Sequence, residues 1–222
     1  MADESFEYFL TKFPLAAKGP ECTQMHLDIY RDLLPPALIS YWQEFGFSGF
    51  GNGIVWLVDP LEWEPTISEA FQSAPLGPLR HPSLPEDTQY IPIARGAFGK
   101  IWFWTPGYGK SVTIEPADGT VFYSPLESKR PNSNLNTAIQ VVFSGRSSDR
   151  FNYRDKNEEF IFGRVFERLG LLSFDQVYGF SPAVRAGGVA DAANAAILPI
   201  HAHMAELAGA TIASGGWDTY VA

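Results

Sequence analysis

The chain has 222 residues, 45% hydrophobic and 18% charged, the balance of a globular chain with a large core in one large domain or two small ones, and it excludes intrinsic disorder. Its formal net charge of −9, from 25 acidic and 16 basic residues, opposes nucleic-acid binding unless positive charge is gathered locally. One cysteine, Cys22, rules out an intramolecular disulfide and a cysteine-based zinc site, and no apolar run approaches the ~18 residues that span a bilayer.

In chain order, residues 3–12 place Phe6, Phe9 and Leu10 on one helical face, with acids in the first turn where the helix dipole favours them. The start MADESFEYFL is acidic and has no basic, apolar leader, so a soluble, cytoplasmic protein is expected. Residues 35–45 form a clearer helix, with Pro36 in its first turn and Leu38, Tyr41, Trp42 and Phe45 at helical spacing. Gly46, Gly49, Gly51 and Gly53 then lead into the short strand GIVWLVDP. A phosphate-cradling loop follows a strand and opens a helix, whereas here the helix comes first and no Walker-type lysine follows. These glycines therefore read as a corner, with Gly46 in the left-handed position that ends a helix.

Residues 61–72 read as a short surface helix and 73–88 as a proline-rich loop. From Tyr90 the pattern switches to strands, YIPIAR, KIWFWT, SVTIEP and TVFYSP, separated by glycine-bearing turns as in an antiparallel meander. Residues 125–134 are polar and turn-rich and suggest a boundary between parts 1–125 and 126–222. Helices are expected at 135–144, 157–169 and about 189–208, with a strand at 174–180. The fold class is α+β: a mostly antiparallel sheet flanked by helices, with a helix-rich C-terminal part packed against it. Charge divides unevenly, with 15 acids and 7 bases in 1–125 against 10 and 9 in 126–222.

Chemistry-bearing residues are sparse. His201 and His203 sit two apart, about 200° round a helix, whereas helical zinc ligands need a spacing of four. Gly187-Gly188 precede the last expected helix, but Asp191 in its first turn would repel an anion. No G-x-S-x-G elbow is present, and Cys22 has no catalytic context. Carboxylates cluster at Asp59, Glu62, Glu64 and Glu69, with Trp63 among them and Glu86 and Asp87 on the next loop. They read as a solvated acidic face able to bind a basic partner rather than as a catalytic pair. A rival surface is the basic stretch around Arg146, Arg150 and Arg154. The expectation is no catalytic residue, no metal and no cofactor.

The segment LLPPALISYWQEFGFSGFGNGIVWLVDP, followed by YIPIARGAFGKIWFW, resembles the GAD-like domain family. The matching residues are Tyr41, Trp42, Gly46, Phe47, Gly53, Trp56, Leu57, Val58 and Pro60, then Tyr90 to Arg95 and Trp102 to Trp104. The C-terminal DQVYGFSPAVRAGG and closing helix are similar to a small Tdi-type immunity domain. The resemblance implies an immunity protein of type VI secretion that binds a cognate toxin effector one to one, with a DNase the expected toxin. It supplies no catalytic motif. On this reading the partner-binding residues are Asp59, Glu62, Trp63, Glu64, Glu69, Glu86 and Asp87, with no direct nucleic-acid or membrane contact. The family's name is shared with a domain inserted in tRNA-charging enzymes, which makes an RNA-binding or nucleotide-processing accessory role the competing class.

Overall fold

A computed structural model describes residues 2–72, 77–130, 132–145 and 147–221. Helix α1 (Glu4–Lys12) is followed by β1 (Leu15–Ala17), α2 (Gln24–Tyr30) and α3 (Pro36–Phe45). Strands β2 (Gly49–Phe50) and β3 (Val55–Leu57) lead to α4 (Pro60–Thr66), which continues as a π-helical turn over Ile67–Gln72. The meander follows as β4 (Ile91–Gly96), β5 (Ile101–Thr105), β6 (Gly109–Glu115) and β7 (Thr120–Tyr123). The remainder comprises α5 (Leu135–Ser144), α6 (Phe162–Leu169), β8 (Gln176–Phe180), β9 (Ala195–Pro199), α7 (Ile200–Ala213) and β10 (Asp218–Val221).

The main sheet has the order β1-β2-β3-β4-β5-β6-β7-β10 and is antiparallel except where β10 lies parallel to β7. β8 and β9 form a separate antiparallel pair. Strand alternation divides the core in two. Trp102 and Trp104 of β5 join Phe6, Phe9, Leu38, Trp42, Ile139 and Phe143 from α1, α3 and α5. Ile101 and Phe103 of the same strand join Trp63, Ile67 and Phe71 from α4 and its π turn and Met204 and Leu207 from α7. The α+β class and the four-stranded meander therefore stand as expected.

The turn-rich segment at 125–134 does not separate two cores. Asp3 caps α1 by accepting from the Ser5 and Phe6 amides, and its other oxygen accepts from Tyr41 Oη at 2.7 Å and Gln140 Nε2 at 3.0 Å. The Ala37 amide at the start of α3 donates to Asn136 Oδ1 at 2.8 Å. α5 thus completes the core that the first 125 residues begin.

Four local expectations need correction. The helix expected at 157–169 begins only at Phe162, because Asp155 Oδ1 accepts the Asn157 and Glu159 amides and ties the preceding residues into a turn. The helix expected from 189 begins at Ile200, because Ala195–Pro199 pair with β8 instead. Gly187-Gly188 accordingly precede a turn and a strand rather than a helix. The helix at 61–72 is not simply a surface helix, since Trp63, Ile67 and Phe71 are buried.

The corner is as read from the sequence. Gly46 has φ +61° and its amide closes α3 on the Trp42 carbonyl; Gly53 has φ +83°. A methyl group on Gly46 would sit 2.4 Å from the Pro20 carbonyl oxygen, whereas one on Gly53 would meet the Leu171 Cδ1 methyl at 3.2 Å. Alanine at either position is expected to cost about 1 kcal/mol or more, with Gly46→Ala the costlier, as thermal unfolding would show. Unchanged melting temperatures would contradict the corner.

Candidate functional site

Helix α4 carries the acidic cluster, and its start is tightly specified. Pro60 occupies the first turn, where its missing amide hydrogen costs nothing, and Asp59 accepts from the Leu61 amide at 2.9 Å. The same oxygen lies 3.0 Å from His26 Nε2. His26 Nδ1 accepts the Thr23 amide at 3.0 Å, so its ring proton sits on Nε2 and is donated to Asp59. Asp59 is therefore a helix cap and histidine partner, only 16% exposed, and not the open carboxylate that the sequence suggested.

Trp63 is 2% exposed. It points into the core against the sheet, with His201 of α7 edge-on at 5.1 Å. Buried there, its indole fixes the helix against the core. His201 bridges back to the helix, with Nε2 2.6 Å from Glu62 Oε1 and Nδ1 2.7 Å from Thr66 Oγ1. Since Nε2 donates to the carboxylate, Nδ1 accepts the threonine hydroxyl. Glu62 keeps about a third of its side-chain surface exposed.

Glu64 and Glu69 lie exposed on the outer side of the helix and its π turn. Pro65, inside the helix, has no amide hydrogen to donate, and the chain widens into that π turn directly after it. The following loop folds back, its Leu79 amide donating to the Phe71 carbonyl at 3.0 Å. Glu86 and Asp87 thereby flank a shallow depression of about 440 Å³ beside Gln72, with Glu86 paired to the exposed Arg80. Of the seven residues expected to meet a partner, Glu62, Glu64, Glu69, Glu86 and Asp87 are exposed, whereas Asp59 and Trp63 are turned inward and support the helix.

Of the basic stretch, the two described arginines lie apart. Arg150 lines a cleft between the meander and α5. Arg154 lies over the Phe160 ring in a different cleft. Arg146 lies outside the described residues. The two C-terminal histidines also diverge: His203 is buried, with Nδ1 3.1 Å from Glu206, while His201 faces α4. Among the described residues, no three His, Cys, Asp or Glu side chains are grouped to hold a metal. Burial, followed by the nearby Asp59 charge, pushes the Cys22 thiol up, away from the thiolate a nucleophile requires.

Sequence reasoning missed both histidine clamps. His26 stands three residues after Thr23, a capping-box spacing that could have flagged it. His201 meets Glu62 across 139 positions of sequence, which no local pattern encodes.

The GAD-like domain family matches residues 4–117. A crystal structure of Atu4351 from Agrobacterium tumefaciens superposes with a TM-score of 0.79 at 19% identity, covering 97% of this chain and 92% of that one, a likeness of fold. No curated protein matches the chain. No helix among the described residues is long and apolar enough to cross a membrane.

Proposed function

Because the chain belongs to the GAD-like domain family, we propose that it is a binding protein rather than an enzyme. It acts as an immunity protein that neutralises a cognate type VI secretion toxin in the cytoplasm of the producing cell. The toxin is a nuclease acting on DNA, held one to one. The C-terminal part, on this reading, is of the Tdi type.

One observation carries the reading. Exposed carboxylates stand on a helix that is seated by Trp63 below, the Asp59–His26 bond at one end and His201 from α7, and on the loop that follows it. A nuclease needs a basic surface to meet phosphates. A preorganised acidic face matches that surface, speeds encounter and loses little entropy on binding. The competing class, an RNA-binding or nucleotide-processing accessory protein, needs concentrated positive charge, and Arg150 and Arg154 face separate clefts.

Glu64 and Asp87 are the cleanest probes, since Glu62 also serves His201. In the Glu64→Lys, Asp87→Lys double variant, association with the toxin at low salt should slow about tenfold and lose most of its salt dependence, with the melting temperature unchanged. Stopped-flow binding measures this. Unaltered association would place the contact elsewhere, and Arg150→Glu is then the next variant to test.

A further inference from the structure

The cleft that Arg150 borders has features the acidic face does not use. Its floor is Trp104 of β5, its near wall is Lys110 of β6 with Ser124, Pro125 and Glu127 after β7, and its far wall is α5. The cleft encloses about 680 Å³, within the range of small-molecule sites. Two features give it chemical character. The Trp104 ring is fully buried, and its indole N–H meets no acceptor among the described residues. Across the strand pair stands Lys110, the register partner of Trp104 beside a bulge in the ladder, and both residues line the cleft. The Lys110 ammonium lies 2.6 Å from Ser124 Oγ.

The rim is basic. Arg130 and Arg150 border it, against one carboxylate, Glu127, which lies 2.9 Å from Arg130. The α5 wall is apolar where Ala138, Val141 and Val142 face the opening, and Val141 is 58% exposed. In an acidic chain, a cleft that carries three cations and one anion among the described residues, with an aliphatic wall, is selective by charge as well as by shape.

We propose that this cleft binds a small amphipathic oxyanion, a carboxylate or phosphate carried on an apolar body. The body lies along Val141 and Ala138 above the Trp104 floor, and the acid head meets Lys110 and Arg130. The site is distinct from the acidic face, so its occupancy and toxin binding are separable.

Phenylacetate, phenyl phosphate and the neutral benzyl alcohol serve as probes, titrated into the full-length protein while the tryptophan indole N–H resonances are followed by NMR. The Trp104→Phe variant identifies the Trp104 signal. Phenylacetate or phenyl phosphate is expected to shift that signal saturably, and whichever binds more tightly identifies the head group. Benzyl alcohol should leave it in place, and Lys110→Met should weaken binding at least tenfold. Should Lys110→Met unfold the chain, the exposed Arg130→Gln serves instead, with a loss of several-fold expected. The proposal is overturned if neither anion moves the Trp104 signal, if benzyl alcohol moves it equally, or if the folded Lys110 or Arg130 variant binds as tightly as the parent.

Discussion

Replacing Arg95 with alanine is expected to destabilise the fold by about 3–5 kcal/mol, the range for breaking a buried polar network and leaving a cavity. Arg95 is 1% exposed on β4, the register partner of Trp56, with its guanidinium 4.8 Å from that ring. Burial, partly offset by the charges of Glu62 and Asp175, lowers its pKa to about 9, so it is still charged at neutral pH. No carboxylate pairs with it among the described residues; its Nη2 donates instead to the Phe174 carbonyl at 2.8 Å. That bond fastens the segment before β8 to the sheet of the family-matched region. Alanine would leave the carbonyl without its donor and a void against Trp56. Arg95→Met keeps the packing of the stem and removes the buried charge, so it should recover a large part of the loss. Urea denaturation monitored by tryptophan fluorescence distinguishes these outcomes; a loss under about 1 kcal/mol for Arg95→Ala would mean the guanidinium contributes little there.

Trp63→Ala is expected to cost a similar amount, about 3–5 kcal/mol, from lost burial and cavity formation. Its consequence for function should be different in kind. Trp63 seats the helix that carries Glu62, Glu64 and Glu69, and His201 packs against its ring. Without the indole the carboxylates remain but their spacing is no longer fixed, so affinity for the toxin should fall even at temperatures where the variant stays folded. Glu64→Lys should do the reverse, leaving the denaturation midpoint unchanged while slowing association. If Trp63→Ala weakens binding only in proportion to its unfolded fraction, the helix is not a preorganised contact.

Much of this architecture is legible in the sequence because its signals are local. The meander announces itself through alternating aromatic and β-branched residues between glycine turns, and α3 through its helical stripe and terminal Gly46. Asn134 caps α5, and that helix spans the residues its pattern indicated. What was not legible depends on partners remote in sequence. The segment Ala195–Pro199 is alanine-rich and reads as helix, yet it is claimed by β8. Strand β1 and helix α2 are three and seven residues long, too short for periodicity to register. The acidic cluster was visible by composition, but which of its members face water was not. Asp59 turns inward because a cap and a histidine both use its oxygen, and Trp63 because the sheet needs covering.

The most direct measurement of the central claim is affinity capture from the native host, with the tagged parent chain beside its Glu64→Lys, Asp87→Lys variant. Bound protein is read by mass spectrometry and bound RNA by quantitation after extraction. The expected result is a single basic protein with nuclease activity, captured in stoichiometric amount by the parent, inhibited when bound, and markedly depleted with the variant. Enrichment of RNA in place of such a protein, or a nuclease retained equally by parent and variant, would contradict the proposal.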